Sequence, residues 1–245
     1  MEHYNGYGAV AANGFDADDL FIRTFWTIDI GGFRLWITET VVIMWIIMAF
    51  LLAFAIFVRI KLRNFAEIPR GFQNMIEFIA EMFNGMLKSS MGDKLSYMGG
   101  WFFTVFFFIL FANLSGILGV RPPTADWAMT FALALATFLL IQIIGFKHLK
   151  GRFIKKTYLG PHWAFLPLNL IGELARPISL SFRLYGNILA GFILLTLYHA
   201  MLPVFVRIGL PVFLNAYFDL VSGALQTYIF CILSMTFVGL ATVED

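Results

Sequence analysis

The chain has 245 residues, of which 60% are hydrophobic, 18% aromatic and only 13% charged, with a mean hydropathy of +0.82. An average globular domain is about 45–50% apolar and about 25% charged, so a water-soluble domain of this composition would expose a large apolar surface. The net charge of +2 is too small for nucleic-acid binding by bulk electrostatics, and the single cysteine, Cys231, excludes an intramolecular disulfide or a thiolate metal cluster. The composition is that of a polytopic, all-α membrane protein.

Met1 to Asp29 is polar and acidic, with Glu2, Asp16, Asp18 and Asp19, and lacks the basic-then-apolar order of a cleavable signal peptide. Residues 1–35 are expected to form an extracytoplasmic segment, and 36–245 the membrane domain. A helix needs about 20 apolar residues to cross roughly 30 Å of hydrocarbon. Uncharged stretches run from Thr40 to Val58, from Leu95 to Val120 and from Trp127 to Phe146. Beyond Lys156 the chain is apolar up to Val243 except for Glu173, Arg176, Arg183, Arg207 and Asp219. That block is too long for one helix and fits two, turning near Pro203 to Pro211, which makes five membrane-inserted helices.

Between the first two spans, Phe72, Met75, Ile76, Ile79 and Phe83 recur at helical spacing, interrupted by Gln73, Glu77 and Glu81. This amphipathic helix either lies along the cytoplasmic interface or packs on the rest of the protein. Eleven Lys and Arg residues fall in the loops joining spans one to two and three to four, against four on the opposite side (Arg23, Arg34, Arg121 and Arg207). The positive-inside bias therefore puts both basic loops and the C-terminus in the cytoplasm and the N-terminus outside.

An ionisable group within hydrocarbon is costly, by estimates from about 2.5 to above 10 kcal/mol, so such groups are functional candidates. Composition alone allows a loop from Lys156 to Arg183, with the arginine at the cytoplasmic end of an ordinary span. Against it, Trp163 to Leu174 is too apolar for a solvated loop. A helix from Pro167 to Leu202 would be about 54 Å long, so it must tilt steeply and carry Arg183 well inside. Leu210 to Val243 forms the second long helix, about 51 Å, bearing Asp219 and Gln226 two turns apart on one face. The expected fold thus ends in two long, strongly tilted antiparallel helices over about 163–243. Glu173 lies about 15 Å nearer the cytoplasm than Arg183, and Arg176 shares the arginine's face. Polar groups approach Arg183 from the outside on one helix and from the inside on the other. Two such offset half-routes let an ion reach mid-membrane from either side without passing straight through.

The run Pro177-Ile-Ser-Leu-Ser-Phe-Arg183-Leu-Tyr-Gly186-Asn187-Ile-Leu-Ala190-Gly191 closely resembles the subunit a family of F-type ATP synthases, the stationary ion-channel subunit of their membrane sector. The resemblance extends to Asn169-Leu-Ile-Gly-Glu173 and to Ala224-Leu-Gln226-Thr-Tyr-Ile-Phe230, with a weaker echo at Asn113-Leu-Ser-Gly116. It implies that Arg183 is the family's essential arginine, facing a carboxylate on each subunit c hairpin of a rotating ring, with Asn187 and Gln226 as its close neighbours. Asp219 would stand in the outer half-channel and Glu173, with Arg176 near it, at the mouth of the cytoplasmic one. Where many members carry an ionisable residue nine positions after the arginine this chain has Phe192, and His199, seven further on, is a candidate substitute. The implied partners are the subunit c ring, the peripheral-stalk subunit b and the rest of an F-type ATP synthase, with one copy per complex in a bacterial cell membrane. No cofactor is implied, the carried ion is H⁺ or Na⁺, and the subunit itself breaks no bonds. A self-contained secondary transporter is the alternative, and it would call for inverted repeats with helices broken at mid-membrane in both halves. No such repeat is visible.

Overall fold

In the computed structural model, the described residues are 24–30, 33–63, 71–118, 120–159, 163–201 and 216–242. The chain opens on an antiparallel hairpin, β1 (Thr24–Ile30) and β2 (Phe33–Thr38), with Ile30 opposite Phe33 and Asp29 opposite Arg34. β2 runs directly into α1 (Glu39–Lys61), whose first turn carries Glu39 and whose last carries Arg59 and Lys61, each sign placed to suit the helix dipole. α2 spans Phe72–Met91. A 3-10 turn, Asp93–Met98, then leads into α3 (Gly99–Leu114), which tightens again at Ser115–Leu118. α4 (Trp127–Leu149) is capped by Asp126, whose carboxylate accepts from the Ala128 amide at 3.0 Å. A short helix, α5 (Gly151–Ile154), and a π turn (Lys155–Leu159) precede α6, Leu166–Met201, 36 residues long. A π segment (Ala216–Ser222) runs into α7, Gly223–Leu240.

Four segments among the described residues are long and apolar enough to cross a bilayer: Glu39–Lys61, Asp93–Leu118, Trp127–Leu149 and Leu220–Leu240. They match the three uncharged stretches and the last long helix. α6 is not among them, because Glu173, Arg176 and Arg183 interrupt its apolar run, yet at about 54 Å it is longer than the hydrocarbon layer is thick. The turn expected at Pro203 to Pro211 and the start of the last helix, from Leu210, lie outside the described residues. The hairpin lies in a stretch for which the sequence predicted no element, and its second strand crosses the boundary drawn at residue 35.

Two apolar clusters stack along the bundle. The first joins Ile43 and Ile47 of α1, Ile109 and Ala112 of α3, Ala134 of α4, Leu180 and Leu184 of α6, and Phe230 and Cys231 of α7. The second joins Phe83, Leu87 and Met91 of α2 to Phe102 of α3, Ile141 and Ile144 of α4, and Met235 and Val238 of α7. α2 therefore packs on the protein through its C-terminal half. Met75, expected on its apolar face, is instead exposed with Phe78 and Met82. The two basic loops meet at one end of the bundle, where the Lys147 ammonium lies over the Tyr97 ring at 5.9 Å and that of Lys61 over Phe72 at 4.9 Å. At the other end Thr40 Oγ1 donates to Asp126 Oδ2 at 3.3 Å.

Candidate functional site

α6 carries most of the site. Pro167 falls in its first turn, where a missing N–H costs nothing, but Pro177 lies in its interior. Proline has no N–H to give, so the Glu173 carbonyl lacks the donor a helix normally supplies four residues on. Glu173 itself is polar and buried.

Glu173 is only 4% exposed, and both of its oxygens are held. The Arg176 guanidinium pairs with Oε1 at 2.6 Å, and Gln142 Nε2, from α4, donates to Oε2 at 3.4 Å. Gln142 Oε1 in turn accepts from the Tyr158 hydroxyl at 2.9 Å, and Asn169 Nδ2 donates to the Tyr158 carbonyl at 3.1 Å. Burial, and then the negative charge of Glu173, raise the Tyr158 phenol above its ordinary value. It therefore keeps its proton and acts as a donor. Arg176 also lies over the Phe237 ring of α7 at 5.0 Å.

Arg183 is exposed on α6, and among the described residues no carboxylate pairs with it. A groove of about 210 Å³ between α6 and α7 joins the two arginines, with Gly172, Ala175 and Ser179 on one wall and Leu233 on the other. Small side chains at 172, 175 and 179 leave that space open. One turn beyond Arg183, Asn187 Nδ2 donates to Gln226 Oε1 of α7 at 3.0 Å. Gln226 is 2% exposed, and its Nε2 has no hydrogen-bond partner among the described residues.

Neighbouring helices fix this register. Asn113 of α3, wholly buried, donates to the Gly223 carbonyl at 3.0 Å and to Thr227 Oγ1 at 3.1 Å, and accepts from Thr124 Oγ1 at 2.7 Å. A β-carbon at Gly223 would come within 2.9 Å of Asn113 Cβ, so glycine permits the approach. Ser181, two residues before the arginine, shares a hydrogen bond with Thr130 of α4 at 3.3 Å.

The structure thus brings Asn187 to Gln226 and Arg176 to Glu173, and sets Arg183 between the two pairs. Glu173 does not reach Arg183. Asp219 lies in the π segment and His199 near the end of α6, but the side chains of both, and of Phe192, lie outside the described residues. Gln142, Tyr158 and Thr124 escaped the sequence reading. A lone glutamine in an otherwise uncharged span was the available signal for the first.

Beside this arrangement, the chain is similar to known proteins over most of its length. The sequence model of the family described as ATP synthase A chain matches residues 41–239. ATP synthase subunit a of Moorella thermoacetica is 36% identical over 204 residues, covering 83% of this chain and 90% of that protein. ATP synthase subunit a 2 of Syntrophotalea carbinolica is 33% identical over 218 residues, 87% of this chain and 88% of its own. That of Picosynechococcus is 34% identical over 212 residues, 85% and 88%. With most of its length matched and its helices in the expected order, the chain belongs to the ATP synthase A chain family.

Proposed function

We propose that this chain is the stationary ion-translocating subunit of an F-type ATP synthase in a bacterial cell membrane, and that it breaks no bonds itself. Arg183 faces the carboxylate that each subunit c hairpin brings past it. A ring carboxylate facing lipid must be neutral or ion-bound, because desolvation penalises its charge. At about 4 Å from a fixed cation the charged form gains about 4 kcal/mol at an effective dielectric of 20, roughly three pKa units. An arriving carboxyl therefore releases its ion near Arg183 and takes another after passing it. Arginine suits the task because it stays charged and offers a planar fork.

The groove from Arg183 to Arg176, with Glu173 at its far end, serves as the inner half-route. Asp219 and Gln226, with Asn187, line the approach from outside, and His199 is a further candidate there. The basic loops and the C-terminus lie in the cytoplasm. Small residues at Gly186 and Ala190 let the ring helices come close. The peripheral stalk subunit b keeps this chain from turning with the ring. A membrane potential contributes about 2.3 kcal/mol per charge per 100 mV, and offset routes turn that drive into rotation.

The observation that carries this reading is the exposed Arg183 on a 36-residue helix, with no carboxylate paired to it among the described residues. In inverted vesicles bearing the whole enzyme, Arg183→Ala is expected to abolish ATP-driven ion pumping while the ATPase head still hydrolyses nucleotide. Undiminished coupled pumping would overturn it.

A further inference from the structure

We propose that Tyr158 and Gln142 are positioning residues for Glu173, an inference that rests on reading Glu173 as the inner mouth of the ion path. An ionised carboxylate accepts hydrogen bonds and donates none. Gln142 can therefore serve Glu173 only with its NH₂ group turned toward it; the flipped amide would set oxygen against oxygen. The Tyr158 hydroxyl selects the useful orientation, because it donates to Gln142 Oε1 at 2.9 Å and leaves Nε2 for Glu173 Oε2. Its proton is secure, since the phenol is not ionised in this setting. Asn169 holds the Tyr158 backbone from α6 itself, one turn before Glu173.

Glu173 is consequently gripped from two sides: by Arg176 on its own helix and by Gln142 across the helix interface. Without the second grip the carboxylate is left to Arg176 alone, which lines the groove toward Arg183. The connection after α4 thus sets where the acid at the groove's end can stand. Neither partner lines the groove. Their effect passes through Glu173.

The test uses the complete enzyme in inverted vesicles, with assembly checked by ATP hydrolysis. Tyr158→Phe removes only the hydroxyl and keeps the ring edge-on to Phe153, at 6.4 Å and 89°. ATP-driven pumping is expected to slow roughly three- to tenfold, the size of one net hydrogen bond. Gln142→Met, of similar volume, should give the same loss. Each variant combined with Glu173→Gln should pump no more slowly than Glu173→Gln alone, because the group being held is gone; a packing defect would instead multiply. Wild-type pumping by Tyr158→Phe, or multiplied losses in the double variants, overturns the inference. If Arg183→Ala still abolishes pumping in that case, the proposed function stands and only this inference falls. Wild-type pumping by Glu173→Gln overturns the inference together with the inner-mouth reading.

Discussion

Arg176 and Arg183 lie seven residues apart on one helix and share a groove, yet their charges meet different fates. Arg176 is neutralised by Glu173 and lies over an aromatic ring, while Arg183 has no counter-charge among the described residues. An arginine left unmatched within hydrocarbon costs several kcal/mol, so under the proposed function a ring carboxylate supplies its partner. Asn113 shows the opposite economy: every hydrogen-bonding direction it uses is internal, tying α3 to the start of α7 and to the turn before α4. Asn113→Ala should destabilise the protein by about 1–3 kcal/mol, because the buried Thr124 hydroxyl loses its acceptor and the bonds to Gly223 and Thr227 are lost. Thermal inactivation in detergent should then shift down by about 2–4 °C per kcal/mol, and an unchanged midpoint would show that the staple is dispensable. The sequence marked Asn113 only as a weak echo of a motif. Its bonds join residues more than a hundred positions apart, which no local pattern encodes.

Helices long enough to cross a bilayer were legible because charge is absent from them, and length alone then sets their number. The amphipathic period of α2 was equally plain, yet it left open where the helix docks. Its C-terminal half packs against α7, with Gly239 so close that a β-carbon there would lie 2.7 Å from the Ser90 carbonyl oxygen. Gly239→Ala should therefore cost about 1–3 kcal/mol through overpacking. Gly85→Ala in α2, where nothing lies within 4 Å, should be neutral or slightly stabilising. Equal thermal midpoints for the two variants would contradict the close crossing. The hairpin before α1 was obscured by the polar, acidic character of Met1 to Asp29, which carries Glu2, Asp16, Asp18 and Asp19. Thr24 to Thr38 nonetheless carries β-branched and aromatic residues on both sides of Gly31-Gly32, the proper signal for two strands. The grip on Glu173 was hidden for another reason: Gln142 and Tyr158 stand 31 and 15 residues away on separate elements, and only the packing of α4 on α6 brings them together.

Over the whole molecule, charge and polarity are distributed end to end. Both basic loops gather at one end, Asp126 and Thr40 meet at the other, and the exposed arginine lies between them on the outer face of α6. Asn187 and Gln226 sit on the far side of that arginine from Glu173, about 21 Å along α6. The two polar pairs are thus separated by about four turns of the helix, with Arg183 between them. The most direct measurement is a structure of the assembled enzyme in its membrane sector. It should place the Arg183 guanidinium within about 4 Å of a carboxylate on an adjacent ring of helices, a separation at which the two charges interact by several kcal/mol. An Arg183 side chain pointing into bulk water, or away from every ring carboxylate, would contradict the central claim.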